Sequence, residues 1–162
     1  MTMETWELLS YIVTVLALPF AIVLFFYEKR KERQAEEEEV YEALAGRYHD
    51  FLRLALEHPD LKLMSARHTP DLDEGQRERM LAIFGLLIAT FERAYLLLYE
   101  PDLTGKNARR WRSWEDFMQE WCGREDFREA MPNLLHGEDP EFAAYLRSLA
   151  DSSSKDGSGR SN

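Results

Sequence analysis

The chain has 162 residues, which is enough for one domain with short appendages but not for two sizeable cores. Acidic residues outnumber basic ones by 30 to 20, so the formal net charge is -10. Such a charge repels a phosphate backbone, and binding to nucleic acid is therefore not expected. The single cysteine, Cys122, excludes an intrachain disulfide framework.

An uncharged run extends from Leu8 to Tyr27 near the N-terminus. At about 1.5 Å per residue, a helix of this length matches the hydrocarbon core of a bilayer, which is about 30 Å thick. The residues before the run include Glu4 and Glu7 but no Lys or Arg, unlike the basic start of a cleaved secretory signal. The sequence therefore predicts a single transmembrane helix.

Small residues recur at helical spacing along one face of this predicted span. They are Ser10, Thr14, Ala17 and Ala21. Such a face lets membrane helices approach closely, so it is a candidate surface for self-association. The alternative is a monomeric anchor in which the small residues are incidental.

A basic collar follows the span directly. It consists of Lys29, Arg30, Lys31 and Arg33. Because positive residues are retained on the cytoplasmic side, the N-terminus is expected to face outward. The rest of the chain is expected in the cytoplasm, tethered to the lipid bilayer of the inner (plasma) membrane.

Helical periodicity continues beyond the collar. Apolar residues step by three and four through Tyr41, Leu44, Tyr48, Phe51 and Ala55, a stripe typical of a helix that packs on another. This first helix should end near His58, because Pro59 follows it.

Four more helices are predicted after that point, at about 73–99, 108–121, 124–130 and 141–149. The second contains an uncharged stretch of only 12 residues, Met80 to Phe91, so a buried core helix is favoured over another membrane span. In the third, Trp111, Trp114 and Trp121 share one face and are expected in the core. The last should begin with Asp139 as its N-cap and Pro140 in its first turn.

The expected fold class is all-α: a single N-terminal transmembrane helix continues into a small cytoplasmic bundle of about four to five helices. The expected divisions are an anchor at 1–27, a charged juxtamembrane helix at 28–40 and a helical cytoplasmic domain at 41–150. The tail at 151–162 is too polar to pack and is predicted to be disordered.

Several segments resemble a known group of proteins. They are Phe51 to Leu61, Phe91 to Glu100, the tryptophan series that leads into REDFREAMP, and Asp139 to Leu146. Together they are similar to an uncharacterised bacterial family of small proteins with an N-terminal membrane helix and a helical cytoplasmic domain. The resemblance implies the same architecture and brings no activity with it.

Arg53 and His58 form an R-x4-H string that is similar to the ribonuclease signature of HEPN domains, which are also helical. That resemblance implies a catalytic pair acting on RNA across a dimer. Five residues along a regular helix are about 140° apart, so both side chains reach one substrate only if the helix end unwinds. The alternative is that His58 simply ends the helix beside its C-terminal dipole. The layout also resembles HEPN-like membrane accessory proteins of RNA-targeting CRISPR systems, which assemble into rings.

A second basic cluster lies at the start of the third predicted helix. It consists of Lys106, Arg109, Arg110 and Arg112. Positive charge at a helix N-terminus is unfavourable because it opposes the helix dipole, so the cluster is a candidate binding surface. It could face anionic lipid headgroups, an acidic protein partner, or the acidic run Glu36 to Glu39.

No motif of an enzyme is recognised. The four histidines have no metal-ligand spacing with each other or with Cys122, and neither a glycine-rich phosphate loop nor a nucleophile elbow is present. No metal and no cofactor are therefore predicted. The expected function is that of a membrane-tethered interaction module acting through partner recruitment or as a homo-oligomer. The alternatives are a HEPN-like ribonuclease and a ring-forming membrane effector of a defence system.

Overall fold

A computed structural model describes the backbone of residues 3–65 and 67–158, and the side chains of residues 17, 19–65 and 67–154. These residues form an all-helical fold without a β-strand, which confirms that the fold is all-α. The helices are α1 Met3–Glu57, α2 Glu74–Leu98, α3 Gly105–Cys122, α4 Glu125–Leu134 and α5 Pro140–Ser158, with a 3-10 turn at Pro59–Leu61 between α1 and α2. The chain divides into two compact units, Met1–Glu42 and Ala43–Asn162.

The first unit is the N-terminal part of α1. The helix continues without a break through Pro19 and through the acidic run Glu36 to Glu39. This continuity was expected, because neither Gly nor Pro occurs between Phe20 and Ala45.

In the second unit, the C-terminal part of α1 contributes its apolar stripe to the core. Leu44, Tyr48, Phe51 and Ala55 are all buried. The ring of Tyr48 stacks on Phe117 with centroids 4.5 Å apart, and Phe51 meets Trp121 edge to face at 5.1 Å. These four residues of the stripe therefore pack inside their own domain, whereas Tyr41 belongs to the first unit and is half-buried.

Helix α2 begins and ends within one residue of the prediction. Its first turn is closed by a capping box, in which the Gln76 amide N–H donates to Asp73 Oδ1 at 2.8 Å and the Asp73 N–H donates to Gln76 Oε1 at 3.0 Å. One face is buried against α3, α4 and α5 through residues such as Phe84, Leu87 and Phe91. Helix α2 thus contributes one side to the core, as predicted, and leaves its other side exposed.

Helices α3 and α4 are both longer than predicted. As expected, Trp111, Trp114 and Trp121 of α3 are buried. Helix α4 extends past Ala130 to Leu134, and the Leu135 N–H donates to the Met131 carbonyl at 2.9 Å. Met131 and Leu135 are themselves buried, so packing holds this extra turn.

Helix α5 has the predicted cap, since Asp139 Oδ1 accepts from the N–H groups of Glu141 and Phe142 at 2.9 and 3.0 Å. It then continues to Ser158, eight residues into the segment for which a disordered tail was predicted. The hydroxyls of Ser152 and Ser153 donate back to the Leu149 carbonyl, at 2.7 and 3.0 Å. The serines that favoured disorder in the sequence therefore bond to the helix that carries them. Residues 159–162 lie outside the described part of the chain.

A buried polar network joins the α1–α2 connection to the start of α4. The Arg124 guanidinium donates to both carboxylate oxygens of Asp126, at 3.0 and 2.7 Å, and to the Leu63 carbonyl at 2.7 Å. The Thr69 N–H donates to Asp126 Oδ2 at 3.2 Å, and its hydroxyl donates to the Leu61 carbonyl at 2.7 Å. This network supplies partners for backbone groups of a connection that has little regular structure of its own.

Candidate functional site

The first candidate surface is an apolar belt on α1. It consists of Phe20, Ile22, Val23, Leu24, Phe25, Phe26 and Tyr27. These side chains are between 46% and 69% exposed, and they extend over two turns, so apolar surface faces outward on every side of the helix. A helix of a water-soluble domain normally buries at least one apolar stripe. The belt has no such buried side.

The predicted small-residue face lies in the same helix. Ala17 and Ala21 are exposed, on a backbone that is helical throughout. Ser10 and Thr14 belong to α1, but their side chains lie outside the described residues, as do those of the rest of the predicted span up to Leu16.

The basic collar follows the belt immediately. All four of its side chains are exposed: Lys29, Arg30, Lys31 and Arg33. The helix therefore changes from a wholly apolar surface to a strongly charged one within one turn of Tyr27.

The second basic cluster is divided by the fold. Lys106, Arg109 and Arg112 are exposed and recur every three residues along α3. Arg110 is instead buried, with 8% of its surface exposed. The candidate binding surface on α3 is thus a row of three basic side chains, which we call the basic row, and Arg110 belongs to the packed interior.

Arg53 and His58 lie on either side of the end of α1. Arg53 is exposed and forms an ion pair with Asp50 one turn earlier on the same helix, with Nη1 and Oδ1 3.8 Å apart. His58 has left the helix, because Pro59 begins the 3-10 turn directly after it. His58 is half-buried.

The structure also shows a surface that the sequence did not predict, the outer face of α2. Leu86, Leu96 and Leu97 are 55%, 57% and 59% exposed, although they belong to the most apolar segment of the second unit. By length and composition α2 is apolar enough to cross a membrane, with a mean hydropathy of 1.8 over its best 18 residues. Less than half of that window, 44%, is buried inside the protein. The sequence does contain a signal for this surface: the stretch from Met80 to Phe91 is uncharged on all sides of the helix. Because the bundle covers only one side, some of these apolar residues stay exposed.

Among the described titratable groups, two carboxyl groups lie together where the chain enters α5. Glu92 Oε1 accepts from the Asp139 N–H at 2.6 Å, and Glu138 makes a side-chain hydrogen bond with Glu92. Burial, and then this contact with a second carboxyl, raise the pKa of Glu138 to about 7. Glu138 thus holds a proton near neutral pH that an exposed glutamate would lose.

Stability should depend on pH through this pair. Because the pKa of Glu138 is higher in the folded than in the unfolded state, its stabilising contribution is complete below about pH 4.5 and is lost as the pH rises through about 7. We expect Glu138→Gln, which keeps a hydrogen-bond donor without the charge, to flatten the fall in melting temperature between about pH 5 and 8. Thermal unfolding across that range measures the effect. Glu141→Gln, at an exposed neighbour, is the control, and equal pH profiles for the two variants would contradict the assignment.

The remaining reactive groups show no clustering in the described part of the chain. No three His, Cys, Asp or Glu side chains there are placed to hold a metal ion. Burial raises the pKa of the Cys122 thiol to about 12, so it stays protonated at neutral pH. The surfaces available for function are therefore the apolar belt with its collar, the basic row and the outer face of α2.

Sequence resemblance to known proteins adds nothing to these surfaces. Comparisons of the chain with family models, with curated proteins and with solved structures gave no match.

Proposed function

We propose that the protein is a membrane-tethered helical interaction module. Helix α1 would anchor it in the inner membrane, and the bundle would act in the cytoplasm by assembling with itself or by recruiting a protein partner. The apolar belt is the observation that carries this proposal. Apolar surface left in water costs about 25 cal/mol per Å², and lipid would cover all sides of the belt at once.

The collar supports the orientation. Positive side chains next to a span are retained on the cytoplasmic side and are attracted to anionic lipid headgroups. The four exposed basic residues after Tyr27 fit that position. The small-residue face that includes Ala17 and Ala21 would give two anchors a surface for close packing.

An interaction role is supported by what the second unit exposes. Its aromatic residues mostly fill the core, whereas its surface combines the outer face of α2 with the basic row. The basic row stands out in a chain with a net charge of -10, and it would attract an acidic protein or the headgroups of the membrane.

A topology reporter tests the anchor and its orientation. We expect a fusion after Asn162 to a reporter active only in the cytoplasm to be active, and a fusion to one active only in the periplasm to be inactive. Replacing the four collar residues by Gln should reduce the difference between the two reporters, because the positive charge that keeps the domain on the cytoplasmic side is removed. Periplasmic activity of the unaltered protein would contradict the orientation. Purification of the full chain from membranes, with mass spectrometry, then tests whether it brings a partner or further copies of itself.

A further inference from the structure

We propose that the outer face of α2 binds the same face of a second copy of this chain, in an antiparallel pair. The inference rests on the proposed function and names the contact for its self-assembly. Exposed leucines of this kind are normal when they occur singly, but Leu86, Leu96 and Leu97 lie along one helix. A run of apolar surface on a domain with a filled core indicates an interaction site.

The residues of this face have a definite order. At about 100° per residue, an arc of about 80° contains Glu78, Ala82, Leu86, Ala89, Arg93 and Leu96. All except the half-buried Ala89 are exposed. An acidic residue therefore lies near one end of the face, a basic residue lies about 22 Å further along the helix, and small and apolar residues lie between them.

This order makes the face complementary to itself. In a two-fold contact, residue i meets residue j and j meets i. With the axis between Gly85 and Leu86, Glu78 of each copy lies opposite Arg93 of the other, so one register forms two ion pairs. A parallel pair would instead bring Glu78 against Glu78 and Arg93 against Arg93. In the described part of the chain, no ion pair involves Glu78 or Arg93.

The same register also suits the shape of the face. Ala82 of one copy lies opposite Ala89 of the other, on each side of the axis. Small residues at these positions let two helices approach closely.

The charges around α2 favour a protein over a lipid surface as the occupant. A helix that lies on a membrane has Lys and Arg along the border of its apolar face. Helix α2 instead has as many Glu as Arg, with Glu74, Glu78 and Glu92 against Arg77, Arg79 and Arg93, and Glu100 follows its end. This balance gives no net attraction to anionic headgroups, whereas the pairing with a second copy uses both signs, through Glu78 and Arg93.

A charge exchange tests the contact in the full-length protein. Glu78→Arg and Arg93→Glu should each raise the Kd of the dimer by roughly tenfold or more, because each places like charges opposite one another at both ends. Combining the two changes should restore the dimer, since both ion pairs re-form with reversed signs. Glu129→Arg, the same change at an exposed position of α4, should leave the dimer intact. Crosslinking in membranes and light scattering in mild detergent measure the fraction of dimer.

The outcomes separate this contact from self-assembly as such. Loss in both single variants and recovery in the double variant would establish the antiparallel face. If the unaltered protein is a dimer and neither single variant weakens it, the α2 contact is wrong while self-assembly stands. Dissociation by Thr14→Leu with Ala17→Leu, without any effect at Glu78 or Arg93, would move the contact to the membrane helix. An unaltered protein that is monomeric in membranes would overturn both this inference and the self-assembly part of the proposed function.

Discussion

Replacing Asp126 by Ala is expected to lower the free energy of unfolding by about 3 to 5 kcal/mol, a large part of the total stability of a domain of this size. The guanidinium of Arg124 would remain buried after its carboxylate is removed. The side chains of Arg124 and Asp126 are only 6% and 4% exposed, so water cannot take the place of the lost carboxylate. The Thr69 N–H, which donates to the same carboxylate, would lose that bond as well.

Urea unfolding of the full-length protein in detergent, followed by tryptophan fluorescence, measures this loss, because Trp114 and Trp121 are buried. The matched control is Arg53→Ala, which removes an ion pair whose two side chains are 74% exposed. That pair should contribute less than about 1 kcal/mol. A similar small loss for Asp126→Ala would show that the network does not stabilise the fold.

A double change separates the ion pair from the packing around it. Replacing Arg124 by Met together with Asp126 by Leu should cost less than Asp126→Ala alone, because no charge then stays buried. The carbonyl of Leu63 would still lose its donor, so some destabilisation should remain. A double variant that is less stable than Asp126→Ala would contradict this explanation.

Introducing charge into the apolar belt should release the protein from the membrane. We expect Phe20→Asp with Val23→Asp to oppose insertion by at most about 5 to 7 kcal/mol, since each charge costs about 2.5 to 3.5 kcal/mol at the middle of a membrane helix and less toward its ends. The variant should move from the membrane fraction into the soluble or degraded fraction. Phe20→Leu with Val23→Leu keeps the belt apolar and should stay with the membrane.

Resistance to alkaline carbonate distinguishes an inserted anchor from a protein held at the surface. The unaltered protein should resist extraction, and the Asp variant should not. If the Asp variant still resists, the belt is not the anchor. Helix α2, the other apolar helix, would then become the candidate, and the same pair of charges introduced at Leu86 and Leu97 would test it.

Local signals in the sequence determined three helix boundaries, the end of α1 and the starts of α2 and α5. Asp73 with Gln76, Asp139 with Pro140, and Pro59 all act within a few residues of the chain, because caps and prolines control only the nearest backbone hydrogen bonds. The structure places these boundaries within one or two residues of the predictions. The burial of Trp111, Trp114 and Trp121 was predictable for the same reason, since helical spacing alone puts them on one face.

The prediction for the tail from Asp151 used composition and took no account of local bonding, whereas the backbone of α5 is helical as far as Ser158. A serine-rich segment without apolar residues cannot contribute to a core, and that favoured disorder. The hydroxyls of Ser152 and Ser153 bond to the backbone of the preceding turn within this helix. Composition describes what a segment can bury, but it does not describe which short-range hydrogen bonds it can form.

Three features depended on contacts between residues that are distant in the sequence. The sequence grouped Arg110 with Lys106, Arg109 and Arg112 in one basic cluster, and in the bundle Arg110 is buried while the other three are exposed. Arg124 and Asp126 resemble an ordinary charged pair at a helix start until the connection at 61–69 covers them. Between Met80 and Phe91 helix α2 is uncharged all around, so this stretch could not show which side would remain exposed. Periodicity fixes the angular position of each side chain on its helix, whereas only the packing of α3, α4 and α5 against α2 determines which positions lose their contact with water.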